Sequence, residues 1–185
     1  MADFVESYLF TLINEAGDPA RPDLPIDWRV HQEPGGAGPV CAGVDLDQFK
    51  AYWASPAHPW PPTPETAPPF YRATFWEPIR GDEIEVQAIA TAIYDAGVNT
   101  WWTHPAEVAQ LIVGVPADGI IGPMTLAALN SPEWGSATFL PKFFDGMAAY
   151  YRSLTVAWAK TSLDEWIGRL ESNARRLGVA WKSAV

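Results

Sequence analysis

The stretch RGDEIEVQAIATAIYDAGVN, residues 80–99, decides the fold. It reads as a helix, with Asp82 as N-cap and Glu85 at the capping-box position three residues on. Its apolar residues follow no strand alternation, and no βαβ rhythm surrounds them. Downstream, HPAEVAQLIVG (104–114) gives a second helix with Pro105 in its first turn and Gly114 as its stop. GPMTLAALN (122–130) opens a third at Pro123. Two more are expected over 138–159 and 163–177. Pro141 places the effective start of the longer one near itself, and the last is capped by Ser162 with Glu165 and ends at Gly178.

Upstream, Val5, Tyr8, Leu9 and Leu12 recur at i, i+3, i+4 and i+7, one face of a first helix that Gly17 and Pro19 end. Asp45 caps a short helix in DLDQFKAYWA (45–54). SPAHPWPPTPETAPP (55–69) holds seven prolines and is expected to be an extended loop, since proline lacks the helix donor. The expected fold is mainly α, with at most a small β-hairpin near residues 28–44.

At 185 residues and 48% hydrophobic, the chain can bury a sizeable core as one body. A net charge of −10 argues against nucleic acid and anionic membrane as partners, both of which reward Lys and Arg. One cysteine, Cys41, excludes an internal disulfide, and His31, His58 and His104 are isolated, so no metal site is expected. The chain lacks a G-x-S-x-G elbow, an H-E-x-x-H helix and a phosphate-cradling loop, so no cofactor is expected. The start, MADFVESYLF, has no cationic segment or long apolar run, and no stretch approaches the ~20 apolar residues of a membrane span. The expected route is synthesis in the cytoplasm, with another protein exporting or releasing the chain.

Several residues invite two readings. Glu15, in NEAG at the end of the first helix, is either a solvated charge or an acid. Ten tryptophans exceed the usual share; Trp76, Trp101 and Trp102 can each stack on a sugar or pack in a core. Asn99 either caps its helix or faces a cleft. Asp95, amid apolar neighbours, reads as a buried, hydrogen-bonded structural acid. Arg80 and Asp82 read as a salt-bridged corner and a cap, and Asp118–Gly119 as the turn into the Pro123 helix.

FWEPIRGDEI, IYDAGVN and AQLIVGVPADGIIGPMTLAAL, followed by YYRSL and WIGRL, resemble in order the blocks of glycoside hydrolase family 108. These are phage-endolysin-like N-acetylmuramidases, some called secretion-activating proteins, with a peptidoglycan-binding-type helical module in the C-terminal half. The resemblance runs from the first helix to about residue 170. It implies a lysozyme-like lobe over 1–100, containing the Pro-rich loop, and a binding module over 101–185, packed as one body. It also implies cleavage of the β-1,4 bond of peptidoglycan glycan strands, with Glu15 in the place of the family's catalytic glutamate.

The family's E-G-G-Y is here Glu15-Ala16-Gly17-Asp18, and its threonine after G-G-A is Gly38 in EPGGAGPVCAGV (33–44). An inverting enzyme needs a second group ~6.5–9.5 Å from the acid. Asp18, Asp23, Asp27 and Glu33 are available, and Glu33 is favoured because the family carries an acid before that turn. Trp76, Asn99, Trp101 and Trp102 are the expected substrate contacts. The alternative is a catalytically degenerate wall binder, or an accessory of secretion or lysis working with a holin or secretion apparatus.

Overall fold

A computed structural model describes residues 1–19, 21, 23–32, 38–53, 59–155 and 157–183. Helix α1 spans Phe4–Ala16, and Asp3 caps it by accepting from the Glu6 amide at 3.0 Å. Strands β1 (Val30–Gln32), β2 (Pro39–Cys41) and β3 (Val44–Asp45) follow as a small antiparallel sheet in that order, with Val30 opposite Cys41 and Cys41 opposite Val44. Helix α2 (Leu46–Tyr52) starts at Asp45, whose carboxylate accepts from the amides of Asp47 and Gln48, as the sequence predicts.

Helix α3 (Ala67–Tyr71) begins inside the Pro-rich segment. Pro68 and Pro69 sit in its first turn, where the missing amide hydrogens have no helical partner to lose. A π-helical turn (Arg72–Trp76) and a 3₁₀ turn (Gly81–Glu83) lead to α4 (Gln87–Thr100). Then come α5 (Thr103–Val113), α6 (Pro123–Leu129), α7 (Ser136–Ser153) and α8 (Ala157–Arg176). The mainly α, lysozyme-like fold with a minor β element is therefore the fold found.

Helix α4 is buried from Ile89 through Gly97, so it is enclosed on all sides rather than amphipathic. Helices α1, α5 and α7 pack around it, and α8 packs on α7. One contiguous apolar core runs from Phe4, Tyr8 and Leu12 through Tyr71, Trp76 and Ile93 to Phe139, Phe143, Met147 and Leu170.

Four expectations about these elements are corrected. The buried face of α1 is Phe4, Ser7, Tyr8, Thr11 and Leu12, while Val5 and Leu9 are exposed. The helix is rotated because Ser7 Oγ bonds Thr91 Oγ1 on α4 at 2.8 Å, which makes two polar positions part of the interface. Asp82 does not cap α4, which starts five residues later. Its carboxylate instead accepts from Trp76 Nε1 at 2.9 Å and from Arg72, while Arg80 pairs with Glu83 at 2.6 Å. Helix α7 begins before Pro141 and carries it inside, because burial of Phe139, Leu140, Phe143 and Phe144 outweighs one lost helical bond. Helix α8 begins well before Ser162, so Glu165 is a mid-helix residue and no cap.

Candidate active site

Glu15 lies in the last turn of α1, before the Gly17 C-cap, whose amide returns to the Ile13 carbonyl at 3.1 Å. Its carboxylate meets Arg169 of α8: Nη1 is 2.6 Å from Oε1, and each side chain is 16% exposed. Oε1 itself is buried. The same guanidinium reaches Asp95 of α4, with Nε 3.1 Å from Oδ2 and Nη2 2.9 Å from Oδ1. Asp95 also accepts from Asn14 Nδ2 at 2.8 Å and Asn173 Nδ2 at 2.6 Å. A buried carboxylate is expensive unless its lone pairs are filled, and here four donors fill them. Burial alone would push the Asp95 carboxyl up, but the charge and hydrogen bonds of Arg169, with Asn14, hold it below its ordinary value. Burial likewise opposes the charge on Arg169, and Asp95 and Glu15 more than offset it.

The β2–β3 turn closes over the acid. Ala42 and Gly43 both have positive φ, +48° and +76°. A Cβ on Gly43 would stand 2.5 Å from Glu15 Cβ and 2.7 Å from Oε2, so only glycine fits there. The turn is held from beneath by Tyr71, whose hydroxyl donates to the Ala42 carbonyl at 2.9 Å. Burial pushes that phenol well above its ordinary value and the nearby Glu15 charge adds to it, so it stays neutral and donating.

Glu15 and Arg169 open on a cleft of about 610 Å³, flanked by Asn99 from α4 and by Glu165 and Trp166 from α8. Asn99 therefore faces the cleft, as one of its two readings has it, and donates to Tyr151 Oη at 2.9 Å. Trp76 is fully buried and has no face for a sugar; its expected stacking role is corrected to a core role. Trp101 and Trp102 border a separate depression of about 260 Å³ with Trp53, so they do not line the cleft that holds Glu15.

Among the other carboxylates, Asp23 pairs with Arg21 and Asp27 with Arg29, each through a bidentate contact on the surface. Arg29 holds the Asp27 carboxyl far below its usual range. Glu33 lies outside the described residues. Asp95 is the buried structural acid its neighbours predict. Arg169, Asn173 and Trp166 are the contributors the sequence reading missed. Their only signal is helical spacing, with Trp166, Arg169 and Asn173 at i, i+3 and i+7 on one face of α8. Among the described residues, no group of three or more His, Cys, Asp or Glu side chains is placed to hold a metal ion, and no helix is long and apolar enough to cross a membrane.

Residues 29–100 match the family described as glycosyl hydrolase 108, in agreement with the resemblance of the sequence blocks. That match contains the Gly43 turn, Tyr71, Asp95 and Asn99, and neither Glu15 nor Arg169. Among solved structures, SagA of Brucella abortus is similar in fold, with a TM-score of 0.74 and 21% identity over 98% of this chain and 98% of that chain. No curated protein sequence matches the chain.

Proposed function

We propose that the protein is a peptidoglycan hydrolase of the N-acetylmuramidase type, cleaving the β-1,4 bond between muramyl and glucosaminyl units with Glu15 as general acid. One observation carries this reading: a glutamate at the end of the first helix opens on a cleft of about 610 Å³, with one carboxylate oxygen buried against Arg169. Cleavage requires a proton on the leaving glycosidic oxygen and a water at the sugar carbon. Glu15 supplies the proton, and the products are two shorter glycans with the water's elements divided between them.

Asn99 and Trp166, which line the cleft, are the proposed glycan contacts, and the wall-gripping role falls to residues 101–185. The substrate is the peptidoglycan glycan strand, reached after release or export by a holin or secretion apparatus. Glu33 remains the proposed base or water-holder, because it precedes the turn before which the family carries an acid.

A second reading, wall binding without cleavage, is favoured by the residues around the acid. Ala16, Asp18 and Gly38 stand where the family pattern has other residues, and Arg169 already occupies one carboxylate oxygen. Clearing of purified peptidoglycan by the wild type and by Glu15→Gln, with circular dichroism on both, separates the two. Clearing by the wild type alone supports the muramidase. Wall binding without clearing by either protein supports the binder.

A further inference from the structure

Three helices that are remote in sequence meet at one guanidinium. Arg169 touches Glu15 at 2.6 Å and Asp95 at 2.9 Å, and nothing about a solvated surface charge requires such an arrangement. An arginine paired with Glu15 alone would hold the acid firmly in its ionised form, which is the wrong state for a proton donor. Asp95 changes that balance. Its full negative charge lies on the opposite side of the guanidinium, so Glu15 meets a cation that is already largely compensated.

The contact is also selective between the two carboxylate oxygens. Arg169 takes Oε1, which is buried. Oε2 lies beside the Gly43 backbone, where the absence of a Cβ leaves room. Oε2 is the oxygen that the Arg169 contact does not take.

We propose that Arg169, held by Asp95, is a positioning residue for the acid: it fixes Glu15 through Oε1 and leaves Oε2 as the oxygen that carries the proton. The proposal rests on the muramidase reading given above. It also means that the C-terminal half supplies part of the catalytic apparatus, because Arg169 belongs to α8 while Glu15 belongs to α1.

Among the described residues, few other titratable groups face Glu15. From α3 and α4 come Tyr71 and Tyr94, both kept neutral by burial. From α8 comes Glu165 on the cleft rim, while Arg176 of the same helix is engaged with Asn14 Oδ1 and the Phe10 carbonyl, each at 2.8 Å. Arg169 and Asp95 are therefore the two charges whose removal acts most directly on Glu15.

The test is the pH dependence of wall clearing for the full chain and three variants, each checked for folding by circular dichroism. A general acid loses rate as pH rises and its proton leaves. Arg169→Gln removes the cation and leaves Asp95 behind it, so the alkaline limb moves to higher pH by about one unit or more. Asp95→Asn strengthens the pull of Arg169 on Glu15, so the same limb moves to lower pH. Arg169→Lys keeps the charge but cannot fork between two carboxylates, so the limb stays near the wild-type position while clearing slows about tenfold.

Opposite shifts from Arg169→Gln and Asp95→Asn establish the proposal. Should Arg169→Gln fail to fold, the direction of the Asp95→Asn shift decides. Folded variants that keep the wild-type limb, with only their melting temperatures lowered, overturn it and leave the muramidase reading standing. A wild type that binds wall and never clears it overturns both.

Discussion

Gly43 and Glu15 are in contact so close that a Cβ on the glycine would fall 2.5 Å from Glu15 Cβ. The sheet contributes little to the core, yet its β2–β3 turn is the lid over the acid. Gly43→Ala meets two penalties, a positive φ of +76° and a collision with the side chain it covers. We expect a loss of about 1–3 kcal/mol in stability. Wall clearing should fall at least about tenfold, since a misplacement of ~1 Å at a reacting group has effects of that size or larger. Denaturant unfolding and a clearing assay on the same preparation check both.

Tyr71→Phe removes one buried hydrogen bond, to the Ala42 carbonyl, and leaves the ring packing intact. Stability should drop by about 1 kcal/mol. The turn then loses its support from below, so clearing should slow in the folded protein, without the collapse expected for Gly43→Ala. Unchanged clearing would show that the turn holds its place over Glu15 without the tyrosine.

Asp95 makes stability depend on acid. The unfolded carboxyl titrates near ~3.9, and in the folded protein Arg169 holds it lower. Its contribution is therefore complete above that pH and is lost as the pH falls through the folded value. Asp95→Asn should lower stability at neutral pH by about 3 kcal/mol, because Arg169 loses a buried partner. It should also flatten the acid side of the stability profile, which thermal unfolding followed from pH 7 down to about 3 would reveal.

Trp76 and Trp102 should separate cleanly. Trp76 is fully buried, and Trp76→Ala should destabilise by about 3–5 kcal/mol. Trp102 is partly exposed beside a shallow depression, and Trp102→Ala should change stability by only about 1 kcal/mol. A reduced wall pull-down by the Trp102 variant would place that depression on the glycan path; an unchanged pull-down would confine the tryptophan to packing.

The helices were legible where local chemistry sets them. Asp45 is a cap, Gly114 ends α5 with a left-handed backbone, and Pro123 opens α6, all through bonds within a few residues. The boundaries that failed did so where a distant partner competed. Asp82 carries the right side chain for a cap, yet Trp76 and Arg72 claim its carboxylate. Pro141 marks a helix start by local rules, yet the burial of its aromatic neighbours carries the helix past it. Counting apolar residues gives the wrong face of α1, because Ser7 is buried by its bond to Thr91 while Val5 and Leu9 remain in solvent.

The sequence by itself determined the class of fold, the order of most helices and the single glutamate that closes the first of them. These depend on periodicity, caps and turn residues, which act over one or two turns of chain. Only the tertiary structure decided what surrounds Glu15. Arg169 and Asp95 reach it from other helices, Gly43 covers it from a turn, and Trp76 is withdrawn into the core. Charge pairing and close packing act through space between residues far apart in the chain, and local pattern carries no record of which distant side chains will meet.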